Sequence, residues 1–97
     1  MTAVRNLKYL PYGQAKIIET DDMIILRSYA TDVIIVDKKT KKIHCTGLYS
    51  RTTINHISKF MKEFSENIGK KIDYFTMKYC YQKNYDFNYE TGELISV

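Results

Sequence analysis

The sequence predicts an α+β fold: an antiparallel sheet of about four strands packed by one amphipathic helix, with a C-terminal β-hairpin, all in a single domain over residues 1–97. Three observations predict it. Runs of strand-forming residues separated by polar turns fill the stretch from Ala15 to Thr46, one long segment repeats apolar residues at helical spacing, and a glycine-containing turn splits the final apolar run. At 97 residues the chain is well short of the ~150 at which cores begin to divide.

Ala15 to Glu19 reads as the first strand, and Thr20, Asp21 and Asp22 form a turn cluster. Met23 to Tyr29 resumes the pattern, with Ile24 and Leu26 alternating against Met23, Ile25 and Arg27, so the two segments make a hairpin. Tyr29, Ala30 and Thr31 supply a second tight connection into Val33 to Val36, whose β-branched side chains favour a strand over a helix. Asp37 to Lys41 is a charged loop leading to a fourth strand, Lys42 to Thr46. The two central strands are apolar on both faces, which predicts a helix over one side and the remaining chain over the other.

The helix is expected from Ser50 to Ile68. Ser50 can accept a backbone hydrogen bond as N-cap, and Tyr49 before it can staple onto Ile54. Ile54, Ile57, Phe60, Met61, Phe64 and Ile68 fall on one arc, with Lys59, Lys62 and Glu66 on the other side. Gly69 provides a left-handed stop, and Lys70 and Lys71 suit the negative end of the helix dipole.

Beyond Gly69 two periods compete. Ile72, Phe75 and Tyr79 lie at helical spacing, whereas Phe75, Met77, Tyr79 and Tyr81 alternate with polar residues as a strand would, and the strand reading is preferred for residues 70–82. Tyr85 to Tyr89 and Leu94 to Val97 flank a turn at Glu90 to Glu93, in which Gly92 can take a positive φ.

Composition narrows the function classes. Apolar residues are 44% and charged residues 27%, which excludes disorder and fibrous classes. The longest apolar runs, Met23 to Leu26 and Val33 to Val36, are far short of the ~20 residues a membrane helix needs, and no signal-peptide stretch follows Arg5 and Lys8. Two cysteines are too few for a disulfide framework, so Cys45 and Cys80 read as free thiols of a cytoplasmic protein. A net charge of +4 excludes an acidic mimic of nucleic acid. Nine tyrosines, crowded toward the C-terminus, suit sheet faces and contact surfaces alike.

Candidate chemistry is sparse. His56 sits at the edge of the helix's apolar arc, where a general base would need Ser50, Thr52 or Asp32 beside it, and no nucleophile motif or phosphate loop accompanies it. His44, Cys45, His56 and Cys80 match the ligand count of a structural zinc site, but adjacent His44 and Cys45 point to opposite faces of a strand, so no local chelating pair exists; a three-ligand site using one of the two is geometrically open, and the expectation is no metal and no cofactor. Lys38, Lys39, Lys41 and Lys42 crowd one turn, where they can contact phosphates or simply solvate a hairpin tip.

Two stretches resemble a known group. Arg27, Ser28, Tyr29, Ala30, Thr31, Asp32 and Val33, followed by Tyr49, Ser50, Arg51, Thr52, Thr53, His56, Ile57 and Phe60, resemble an uncharacterised small domain of phages and mobile elements of Gram-positive bacteria, over about Met23 to Phe64. The resemblance expects glycine where Ala30 stands. It implies a genomic setting in which small proteins bind host proteins, inhibitors of CRISPR nucleases among them. The resulting expectation is a non-enzymatic anti-CRISPR-type inhibitor in the bacterial cytoplasm whose partner is a host defence protein such as a Cas nuclease. Its candidate contacts are Tyr74, Tyr81, Tyr85 and Tyr89 with the lysine turn, and the motif Tyr49, Ser50, Thr52, Thr53 and His56 serves as scaffold. A nucleic-acid-binding regulator is the alternative.

Overall fold

The structure, a computed structural model, describes residues 1–97. Seven strands follow one another in a single antiparallel sheet whose spatial order is their chain order: β1 (Ala3–Asn6), β2 (Ala15–Glu19), β3 (Met23–Ser28), β4 (Thr31–Asp37), β5 (Lys42–Cys45), β6 (Tyr85–Asn88) and β7 (Leu94–Ser96). Two helices, α1 (Arg51–Ile68) and α2 (Tyr74–Lys83), interrupt the meander between β5 and β6. The class is α+β, but the expected sheet of four strands with one helix is corrected to seven strands with two helices. The C-terminal hairpin is no separate feature, because Ile43 pairs with Phe87 and Lys42 with Asn88, which welds β6 and β7 onto β5. β1, unforeseen in sequence, pairs Val4 with Ile18 at the opposite edge.

The hairpins obey their turn chemistry. Thr20 Oγ1 accepts the backbone N–H groups of Asp22 and Met23, and Asp37 Oδ1 accepts those of Lys39 and Thr40. In the β3–β4 turn the left-handed residue is Tyr29, at φ 55°, and Ala30 keeps negative φ. Absence of glycine at Ala30 therefore carries no backbone penalty. A bulge follows: Leu26 pairs with Ile34 and Arg27 with Asp32, so Val33 is the extra residue and both Val33 and Ile34 are buried.

Helix α1 starts and stops where its caps dictate. Ser50 accepts from Thr53 N at 3.2 Å, and Gly69, at φ 68°, donates to Ser65 O. Ile57, Phe60, Met61 and Phe64 are buried against Ile17, Leu26, Ile34, Val36 and Ile43 of the sheet. Tyr49 turns its ring back over Gly47, where an added Cβ would lie 2.6 Å from Tyr49 Cζ.

The strand expected over residues 70–82 is a helix. Asp73 caps α2 by accepting from Thr76 N at 3.1 Å, and Asn84 ends it in the left-handed region at φ 60°. Met77 and Cys80, three residues apart, are the pair that α2 buries. Ser65 Oγ holds the preceding loop by bonding both N–H and C=O of Ile72.

Both helices pack on one face of the sheet, so the expectation that the remaining chain covers the second face is also corrected. Val4, Ile18, Ile25 and Ile35 line up across β1 to β4 on that second face, followed in register by His44. The isoleucines are half-buried.

Candidate functional site

The residues that carry the sequence resemblance meet at one end of the molecule. Ser28 closes β3 on its inward face, opposite Ala15, and the first two turns of α1 bring Thr53 and His56 over it. Ser28 Oγ lies 2.7 Å from His56 Nδ1 and 3.3 Å from Thr53 Oγ1, which in turn accepts from Ser50 Oγ at 3.2 Å. Ser28, Thr53 and His56 are buried, and no buried side-chain polar atom in the chain lacks a partner. The Tyr29 ring lies tilted, 5.9 Å from the imidazole. Burial holds the His56 pKa below the usual histidine value, so the ring is neutral at pH 7.

This arrangement fastens a turn to a helix. Of the partners considered for His56 in sequence, Ser50 is spent on the cap, Thr52 is exposed, and Asp32 is paired with Arg27 at 2.7 Å. No carboxylate orients the imidazole, and Ser28 is 2% exposed, so a substrate cannot reach the hydroxyl. Ser28 escaped the sequence search for a partner; the inward alternation of Leu26 and Ser28 along β3 was the available signal.

The four candidate metal ligands are dispersed. His44 Nδ1 bonds Asp86 at 2.7 Å on the helix-free face, whereas His56 serves Ser28 on the other. Burial pushes the Cys45 thiol up to about 11 and raises that of Cys80, which keeps both protonated and poorly nucleophilic. No three His, Cys, Asp or Glu side chains gather in metal-binding proximity.

The lysine turn is partly neutralised. Lys38 pairs with Glu19 at 2.6 Å and also donates to Thr20 O, while Lys39 lies 3.5 Å from Asp22. Lys41, at φ 62°, and Lys42 opposite Asp37 form no salt bridge.

Among the tyrosines proposed as contacts, Tyr74 packs on the core, and Tyr89 stands edge-on to Phe64 with ring centres 5.2 Å apart. Tyr85 is half-buried where β6 begins, and only Tyr81 is open, at 43%. Helical geometry instead turns Phe75 and Tyr79 outward, 70% and 49% exposed, on one face with Lys78 between them. Neither was among the contacts expected from sequence. From Gly69 to Lys83 the chain carries Lys70, Lys71, Lys78 and Lys83 against Asp73, so +3 of its net +4 resides there. Between this element and α1 runs a groove of about 600 Å³ whose lining includes Lys62, Lys70, Lys71, Ile72, Tyr74 and Phe75.

A profile described as "Family of unknown function (DUF8033)" matches residues 2–75. The match spans β1 to α1 and ends in the first turn of α2. No curated protein and no solved structure matches the chain.

Proposed function

The chain belongs to the DUF8033 family, whose function is unknown, and from that premise we propose that it is a non-enzymatic binding protein that docks the exposed face of α2 onto an acidic surface of a partner protein. One observation carries the reading: Phe75 and Tyr79 stay exposed on a helix whose other face is pinned to the sheet by Met77 and Cys80. Rigid aromatic side chains lose little entropy on contact, and the surrounding lysines complement carboxylates. The burial of Ser28 and His56 and the bond between them support a scaffold role for this pair. The narrower identity of the partner, a host defence protein such as a Cas nuclease met in the bacterial cytoplasm, rests on the resemblance between Met23 and Phe64. No helix is long and apolar enough to cross a membrane.

Affinity capture from a native host followed by mass spectrometry tests this. The expected result is a protein captured by the parent and by Tyr12→Ala, but lost with Phe75→Ala/Tyr79→Ala at an unchanged melting temperature. A second reading, nucleic-acid binding, is favoured by the same alternation of aromatic rings and lysines. Recovery of nucleic acid alone, released by salt and lost in the same double variant, would put that reading first.

A further inference from the structure

Between the C-terminal half of α1 and the sheet lies a hollow of about 380 Å³. Ile24, Phe60, Phe64 and Ile68 give it apolar walls, and Arg5, Lys38, Lys41, Glu19 and Glu63 give it a charged rim of three cations and two carboxylates. Four of those five charges satisfy one another: Arg5 pairs with Glu63 and Lys38 with Glu19, each at 2.6 Å. Lys41 does not, since its ammonium makes no ion pair or hydrogen bond within the chain. Beside it, Tyr89 donates its amide to Lys41 O at 2.9 Å, sets its ring against Phe64, and leaves its hydroxyl without an acceptor. As no buried side-chain polar atom is unpartnered, both free donors reach solvent. A smaller hollow of about 190 Å³ shares Lys41, Ile68 and Tyr89 and extends the first toward Lys70.

We propose that this hollow is a binding site for a small amphipathic monoanion, a carboxylate on an apolar body. The carboxylate accepts from the Lys41 ammonium and the Tyr89 hydroxyl, and the body lies along Phe64 and Ile68. Charge limits the ligand to a single negative charge: the residues lining the hollow sum to +1, and Glu19 and Glu63, with Asp37 and Glu90 close to Tyr89, repel a second. Volume sets its length, because the main hollow is at the lower end of the ~300–1,000 Å³ typical of ligand pockets, room for a chain of about ten carbons. The site does not use Phe75 or Tyr79 and stands independently of the docking face.

Titration of the full chain with decanoate, decanol and decyltrimethylammonium, followed by calorimetry and amide chemical shifts, tests the assignment. Decanoate is expected to bind saturably, move the amides of Lys41, Ile68 and Tyr89, and bind at least about tenfold more tightly than the neutral and cationic chains, the worth of one desolvated charge contact. Lys41→Met removes that preference without moving the thermal midpoint, and Tyr89→Phe, which keeps the ring, weakens decanoate alone by several fold. Equal binding of decanol and decanoate, indifference to both substitutions, shifts centred on Phe75 and Tyr79, or no binding of any of the three would each overturn it.

Discussion

Replacing Ser28 by alanine removes one atom and tests the clasp between the β3–β4 turn and α1. Thr53 keeps its contact with Ser50 at 3.2 Å, so the loss falls on His56 Nδ1, whose partner at 2.7 Å is gone. A buried polar group left without a partner costs about 1–3 kcal/mol, and the void left by one oxygen adds little. For a chain of 97 residues, with total stability of roughly 5–15 kcal/mol, that is a large fraction and lowers the melting temperature by about 5–15 °C. The assay is a thermal melt at pH 7.5, supported by urea unfolding, on Ser28→Ala, His56→Phe and the double variant. Because an apolar pair leaves no orphaned acceptor, the double variant should lose less than the sum of the single losses, with a coupling of about 1 kcal/mol. Strict additivity, or a Ser28→Ala midpoint equal to that of the parent, would refute the clasp.

Three further outcomes follow from the same packing. Since burial lowers the folded-state pKa of His56, the unfolded state binds the extra proton first; the contribution is complete above the unfolded value near 6.5 and is lost as pH falls toward the folded value. Stability should therefore decline below about pH 6.5 in the parent and more shallowly in His56→Phe, and parallel profiles would remove His56 as the cause. Phe60→Ala, at a site 1% exposed and stacked on Phe64 at 5.9 Å, should cost about 3–5 kcal/mol, whereas Lys62→Ala, losing an exposed contact with the Tyr9 ring, should cost about 0.5; similar urea midpoints would mean the helix faces otherwise. Glu63→Ala deprives Arg5 of its ion pair and Lys8 N–H of its acceptor at 2.8 Å, so amide exchange at β1 should accelerate well beyond that at β3.

How much of this was legible depends on how local the deciding signal is. Helix α1 could be read because Ser50, Gly69 and the apolar arc lie inside the element itself. The β2–β3 and β3–β4 hairpins could be read because their turn residues lie between the strands they join. Strand β1 could not, since all four of its residues are exposed on an edge and carry no inward-outward alternation. In α2 the aromatic residues fit both periods, and the choice is made by caps at Asp73 and Asn84 and by burial of Met77 and Cys80 under tertiary contact. His56 was found as a polar residue near an apolar face, but Ser28 is 28 residues away in sequence, a distance over which only the folded sheet supplies the connection.

The Ser28 clasp and helix α2 pose opposite cases for where function resides. Around Ser28 and His56 the polar groups are spent on one another, and Tyr29 accepts a left-handed backbone at φ 55°, a conformation that costs a bulky residue about 1–2 kcal/mol and persists only where packing imposes it. Such a cluster absorbs interaction energy internally and leaves little for a ligand. On α2 the balance is reversed: Asp73, Asn84, Met77 and Cys80 already secure the helix, so Phe75, Lys78 and Tyr79 are not needed to hold it and remain exposed. Exposed aromatic area carries a solubility cost unless a partner covers it. The family match ends at residue 75, so Lys78 and Tyr79 lie outside the stretch that defines membership. The docking face proposed for α2 straddles that boundary, with Phe75 inside it and Lys78 and Tyr79 beyond, and the proposal requires Phe75→Ala/Tyr79→Ala to leave stability intact where Ser28→Ala does not.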